Sequence, residues 1–276
     1  MNGAPLIAVS HSGRSLFYGI GNNSSLNNVT QYSATDGYIY VRAGIKVYDE
    51  IVAGIGYSHR STGIDRGSDP AVTQFQDQYS TYPRLSGTST TSTHFFIQYD
   101  TRTPVLAPQG GSLIFTSLEQ AQPKSGEDLA QQRYFLVAEN FFPISEKELI
   151  FVSRGKYEHE WGENVPFFLQ SRLGGESTLR GFRTNRYVDA ASTLIQLEPR
   201  FTFWEPNGSM FQRFEISTAF ELGRVFNYEG IPPTDSYHTD WDIGLTSLVE
   251  GGVPIRLDYA FSPESSLIYL HLFYPF

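Results

Sequence analysis

Every second residue from Ile39 to Val47 is aliphatic. Ile39, Val41, Ala43, Ile45 and Val47 share one face, while Tyr38, Tyr40, Arg42, Gly44 and Lys46 share the other. Successive side chains of a strand point to opposite sides, so this period of two marks an extended segment whose faces meet different surroundings. The pattern recurs along the chain. Ile195, Leu197, Pro199 and Phe201 oppose Gln196, Glu198 and Arg200. Phe214, Ile216, Thr218 and Phe220 oppose Arg213, Glu215, Ser217 and Glu221, and Val253, Ile255, Leu257, Tyr259 and Phe261 oppose Arg256 and Asp258. Further segments of this kind lie near 14–21, 50–58, 93–102 and 238–248, with less regular ones at 110–120, 131–141 and 147–157. About twelve strands result, and no amphipathic helix longer than two turns.

Alternation alone does not choose the solvent, since a β-sandwich alternates too. The connections are more selective. They run long near 22–36, tight at 48–50, very long at 59–92 and short at 103–109. The rhythm continues through 121–131, 142–146, 158–191, 204–210, 224–237 and 249–252, and only the turn near 262–265 breaks it. Such alternation collects the long loops on one rim, as in outer-membrane barrels with short periplasmic turns. With an even strand number, both termini lie on the short-turn side. The end of the chain adds to this: Ile268, Leu270, Leu272, Tyr274 and Phe276 alternate with Tyr269, His271 and Phe273. Leu272, Tyr274 and the terminal Phe276 resemble an assembly signal for barrels.

Composition excludes several alternatives. The 276 residues contain no Cys, which removes disulfides, thiolate metal sites and Cys nucleophiles. A formal net charge of −9 argues against nucleic acid as a partner. No apolar run approaches the length of a transmembrane helix. The first residues lack a secretory signal, so a mature chain with its signal removed is expected. The expected fold is all-β: a transmembrane antiparallel β-barrel over 14–276, preceded by a lead-in at 1–13, with the long extracellular loop 158–191 folded into the lumen.

That loop holds the most specific stretch, Leu173-Gly174-Gly175-Glu176-Ser177-Thr178-Leu179-Arg180-Gly181-Phe182. It resembles the Arg-Gly-Phe/Tyr loop motif of the BamA-like outer-membrane surface-antigen superfamily (the "Omp-eighty-five" family). That family includes barrel-assembly insertases, two-partner secretion transporters and patatin-linked barrels. Other pieces follow the family's order. Asp100-Thr101-Arg102, with Pro108 and Gly110-Gly111 after it, is similar to its Asp-x-Arg strand end and periplasmic turn. Leu197-Glu198-Pro199-Arg200 is similar to its Glu-x-Arg strand, and Ala219-Phe220-Glu221-Leu222-Gly223-Arg224-Val225 to its Phe-x-Asp-x-Gly strand with Glu in place of Asp. The family usually has sixteen strands; here seven precede the motif loop and five follow it. Either a smaller twelve-stranded member or a fragment of a larger barrel accounts for this. Too few residues precede the first strand for a POTRA domain, and that puts client handling in doubt.

The resemblance implies a motif loop built on Gly174, Gly175, Leu179, Arg180, Gly181 and Phe182, with Arg180 in the lumen. A guanidinium there requires a carboxylate partner. Alternation turns Glu221 and Glu198 inward, along with Asp100, Arg102, Arg200, Glu215, Arg256 and Asp258. No metal, cofactor or bond chemistry is expected: the six His are scattered, and His159-Glu160 does not open a zinc-protease motif, reading instead as a solvated strand end. The expected role is to assist insertion or translocation of protein or lipid at the Gram-negative outer membrane. Lipid and client or partner membrane proteins are the implied partners, and a homo-oligomer stays open. The alternative is a small passive pore or a structural barrel without insertase activity.

Overall fold

Twelve antiparallel strands hydrogen-bond in sequence order, and the period of two appears as an inside-out distribution of burial. The computed structural model describes residues 6–82, 84–123, 131–145, 148–207, 210–227 and 236–275. The first seven strands are β1 (Leu6–Phe17), β2 (Thr30–Lys46), β3 (Ile51–Arg66), β4 (Gly87–Asp100), β5 (Gly111–Pro123), β6 (Gln131–Pro143) and β7 (Leu149–Gly162). A two-stranded ribbon, β8 (Ser171–Leu173) with β9 (Tyr187–Asp189), occupies the long connection that follows. The wall resumes with β10 (Ala191–Trp204), β11 (Phe211–Phe226), β12 (His238–Val249), β13 (Val253–Phe261) and β14 (Ser266–Leu272). β7 pairs directly with β10, so the ribbon is an excursion from the wall rather than part of it.

On β12 the exposure of Trp241, Ile243 and Leu245 is 51%, 49% and 48%, whereas Asp240 and Asp242, which alternate with them, are each 1% exposed. Ile195, Phe201, Ile216, Leu257, Tyr259, Ile268 and Leu270 join the outer band, while Gln196, Glu198, Glu221, Arg256 and Asp258 are buried within. A sheet that turns its aliphatics out and its charges in requires hydrocarbon outside and a polar lumen. Antiparallel pairing along the whole strand order meets most of that requirement, since backbone polar groups in lipid have no water to satisfy them. The fold is a transmembrane β-barrel. The hydrogen-bonded order starts at β1 and ends at β14, and among the described residues no ladder joins those two edges.

Several expectations change in detail. β1 begins at Leu6, so most of the lead-in drawn at 1–13 is strand; residues 1–5 lie outside the described residues. The extracellular connections are shorter than drawn: 18–29 instead of 22–36, 67–86 instead of 59–92, and 163–190 instead of 158–191. Apart from the end of β1, which stops at Phe17 rather than near 21, the reason is the same in each case. Strands continue past the hydrocarbon, where the alternation fades; Tyr32–Asp36 pairs with Thr62–Arg66, and Ser58–Gly63 with Gly87–Ser92. Glu158, His159 and Glu160 therefore sit on β7, and His159 is buried against the Trp161 ring at 4.0 Å rather than solvated.

The extracellular vault is filled by side chains. A short helix, α1 (Phe75–Gln78), places Phe75 against Phe17 and Phe167, with ring centroids 5.3 and 4.7 Å apart. Tyr32, Ile64, Val165, Phe168, Leu169 and Val188 complete this cluster, which packs the stem of the long connection onto β1–β3.

Candidate functional site

The tip of the long connection enters the lumen as a tightly wound backbone. Gly174 N–H donates to Thr178 O (3.0 Å), Gly175 N–H to Phe182 O (3.1 Å), Phe182 N–H to Leu179 O (2.9 Å) and Asn185 N–H to Gly174 O (3.2 Å). Gly174 has φ +105°, and a Cβ there would lie 2.3 Å from Arg183 O, so only glycine suits this position. Leu173, Leu179 and Phe182 bury their side chains with Tyr187, Leu194 and Val225, which seats the tip on β10 and β11. Gly223 makes this possible: a Cβ on it would press into Leu173 and Leu179 at 3.1 Å.

Arg180 leaves this seat pointing across the lumen, with 1% exposure. Its Nε donates to Glu221 Oε1 at 2.8 Å and its backbone N–H to Glu221 Oε2 at 2.6 Å. Its Nη2 lies 2.8 Å from Asp242 and 3.5 Å from Glu198, and its Nη1 lies 3.7 Å from Asp258. Gly181 N–H donates to Asp240, and a Cβ at Gly181 would come within 2.7 Å of Phe261 C, so the loop backbone lies directly on the wall. Arg256 interlocks with the same acids, reaching Glu198 at 2.6 Å, Asp258 at 2.8 Å and Asp242 at 3.6 Å. Arg200 Nε donates to Glu198 Oε1 at 2.6 Å, and His271 Nε2 lies 3.3 Å from Asp258. Arg180, Arg200 and Arg256 thus share Glu198, Glu221, Asp242 and Asp258, each acid touching at least one guanidinium. Charges taken this far from water persist only when paired and hydrogen-bonded. The arrangement holds a loop; among the described residues, no His, Asp and Glu cluster is suited to a metal ion.

Alternation and the motif place Arg180, Glu198 and Glu221 in one network, and Arg200, Arg256 and Asp258 extend it. Asp100 and Arg102 lie at the periplasmic end, where Arg102 Nε meets Asp100 at 3.0 Å and Nη1 meets Glu139 at 3.2 Å, and they join the network through Arg154 and Gln196. Glu215 accepts from Arg213 Nε at 2.8 Å and from the Tyr274 hydroxyl. The sequence reading omits Asp240 and Asp242, although the alternation of β12 turns both inward.

The terminal residues depart from the expected pattern. β14 stops at Leu272, and Phe273 has φ 85°, which reverses the side of the wall that the next side chain faces. Leu272 stays on the lipid face, 69% exposed, but Tyr274 turns into the lumen and stacks on Arg200 at 3.7 Å from its ring centroid. Leu272 and Tyr274 therefore do not share a face, and Phe276 lies outside the described residues.

The Omp85 superfamily domain matches residues 8–276, almost the entire chain. The chain belongs to the Omp85 superfamily. This Omp85 barrel is similar in structure to BamA from Haemophilus ducreyi lacking POTRA domains 1–3, with a TM-score of 0.62 and 12% identity. That match covers 98% of this chain and 61% of the BamA chain. CdiB from Acinetobacter baumannii gives a TM-score of 0.55 at 11% identity, covering 92% of this chain and 45% of CdiB. At such identities the likeness is one of fold, and this Omp85 barrel spans less than two thirds of either relative. No curated protein matches its sequence.

Proposed function

We propose that this barrel acts in a bacterial outer membrane by assisting the insertion or translocation of protein or lipid, without making or breaking covalent bonds. The observation that carries the reading is a loop fixed in the lumen by Arg180 beside a wall whose two edge strands, among the described residues, lack a shared ladder. Unpaired strand edges facing hydrocarbon are costly, so an edge that parts can template an incoming strand or perturb nearby lipid. Family membership supports this direction. Client membrane proteins and outer-membrane lipid are the partners it implies; the net charge of −9 disfavours nucleic acid.

A passive pore is the second reading, favoured by a cavity of ≈330 Å³ in the lumen between β2 and β7. Asp36, Arg60, Glu119, Arg133 and Glu160 are among its lining residues. A refolding assay separates the two. Liposomes carrying the preinserted protein should speed the folding of an unrelated outer-membrane barrel relative to empty liposomes and to liposomes carrying a porin. Equal rates in all three would sink the insertion reading and leave the pore.

A further inference from the structure

The motif accounts for Arg180, but a second arginine six positions on is equally enclosed. Arg186 has 3% exposure and is held on every side. Its Nε and Nη2 donate to the two carboxylate oxygens of Glu264 at 2.6 and 2.8 Å, a forked pairing that Lys could not reproduce. Its remaining donors reach Ser24 Oγ at 2.9 Å and Ser24 O at 2.7 Å. The guanidinium lies between two rings, 4.9 Å from the Tyr18 centroid and 4.5 Å from that of Tyr187, whose hydroxyl donates to Glu264 at 3.2 Å.

The partners stand on opposite sides of the unpaired edge. Tyr18 and Ser24 belong to the connection between β1 and β2, and Glu264 to the turn between β13 and β14. Both connections are on the extracellular rim. Neighbouring contacts reinforce the span: Gly21 N–H donates to Val188 O at 2.8 Å, Val225 N–H donates to Asn22 Oδ1 at 3.1 Å, and His238 Nε2 is 2.8 Å from Asn22 O. Ser262 and Ser265 hydroxyls donate to Gly181 O at 2.8 and 2.7 Å, tying the β13–β14 turn to the motif loop. Next to this span lies a cleft of ≈500 Å³ between Ser15 and Leu16 of β1, Leu267 and Tyr269 of β14, and Thr184 of the loop. At that height the edges do not pack against each other, so side chains above the cleft do the holding.

We propose that Arg186 is a clasp that holds the extracellular end of the β1/β14 seam shut, and that loss of its pairing with Glu264 lets the edges part. The proposal rests on the reading that this seam moves in function, and it adds where the seam is held. Glu264 has 23% side-chain exposure, so on release its carboxylate meets extracellular water rather than a dry interior. That makes the contact separable without unfolding the loop, whereas Arg180 sits among acids that have no such exit.

The chain has no Cys, so a single engineered pair reports without background. Spin labels at Leu16→Cys and Leu267→Cys in lipid bilayers read the distance across the cleft. Arg186→Ala should add a longer-distance component, with a roughly tenfold rise in the open fraction for about 1.4 kcal/mol of lost contact. Glu264→Gln should shift the distances in the same direction, and the double variant should open no further than Arg186→Ala alone, because that change already removes the Glu264 pairing. If Arg186→Ala fails to fold, Glu264→Gln alone decides. Unchanged distances in the folded variants overturn the clasp. The refolding assay is run on the same samples. An opened seam with unchanged client folding leaves the clasp standing and removes the insertion reading; unchanged distances with client folding still accelerated do the reverse.

Discussion

Removing the Arg180 guanidinium should be among the most damaging single changes available to this barrel, and the geometry says where the cost arises. Four acids lie within 3.7 Å of it, yet they depend on it unequally. Glu198 keeps Arg200 and Arg256, both at 2.6 Å, and Asp258 keeps Arg256 at 2.8 Å. Glu221 is left with the Gln196 amide and the loop backbone, and Asp242 with Arg256 at 3.6 Å. Breaking one buried ion pair costs about 3–5 kcal/mol because the abandoned charge stays buried, and here two carboxylates are abandoned. Arg180→Ala should therefore fall at the upper end of that range. Arg180→Lys should recover part of it, since one ammonium can serve either Glu221 or Asp242 but not both in their present positions. Asp242→Asn gives the sharper check. In the native background it removes a partner of Arg180 and should destabilise; in the Arg180→Ala background it removes a stranded charge and should stabilise. Urea unfolding in phospholipid vesicles, followed by Trp fluorescence, measures all four proteins. A change under about 0.5 kcal/mol for Arg180→Ala, the range of an inconsequential surface substitution, would refute the anchor. Strict additivity of the two substitutions would refute the pairing.

Other consequences are as direct. Gly181→Ala drives a methyl to 2.7 Å from the Phe261 backbone and should lift the loop from β12 and β13, costing about 1–3 kcal/mol from overpacking before the Asp240 contact is counted; a lowered transition temperature in heat-modifiable gel mobility reports it. Tyr274→Ala removes the ring from Arg200 and the hydroxyl from Glu215 at the periplasmic end, and should raise single-channel conductance in planar bilayers, while Tyr274→Phe keeps the ring and should leave conductance near the native value. Asp189, in the extracellular ribbon, has its carboxyl held above the usual carboxylate value by burial, so its neutral form is the one the native fold prefers. The associated stability is present below about pH 4 and is lost as pH rises through the raised native value; Asp189→Asn should then stabilise at pH 7 and make no difference in acid, as read from unfolding midpoints at both pH values.

The sequence was legible where one physical rule dominated. Hydrocarbon outside and charge inside impose a strict period of two, so Ile243 and Leu257 could be assigned outward and Glu198 and Glu221 inward from spacing alone. Arg180 could be paired because its motif marked a loop that must return to the wall. The rule weakens above the membrane: β2 and β3 extend through Thr30–Asp36 and Ser61–Arg66, where polar residues occupy both faces and nothing in the spacing distinguishes strand from loop. It weakens again at Phe273, where one residue with φ 85° sends Tyr274 to Arg200, an event without a sequence period. Arg186 and Glu264 are 78 positions apart and lie on connections whose approach depends on closure of the whole wall, so no local pattern could unite them.

The two arginines divide the loop's work. The tip, from Gly174 to Phe182, meets β10–β13 through Leu179, Arg180 and Gly181, in contacts that are directional, charged and deeply buried. The stem, through Val165, Phe167, Leu169 and Val188, meets β1–β3 through aliphatic and aromatic surface. Charged forks hold one geometry, whereas dispersion contacts tolerate sliding at little cost until surface is exposed. A seam that parts should then carry β1 away from a loop that stays fixed to the C-terminal strands, with the Phe17–Phe167 contact loosening and the Arg180–Glu221 contact intact. Stability and motion become separable by substitution: changes at Arg180 should alter unfolding in proportion to the charge stranded, while changes at Arg186 should alter the seam with little loss of overall stability. An Arg186→Ala protein that unfolds as readily as Arg180→Ala would show that the loop moves as one body and that this division is wrong.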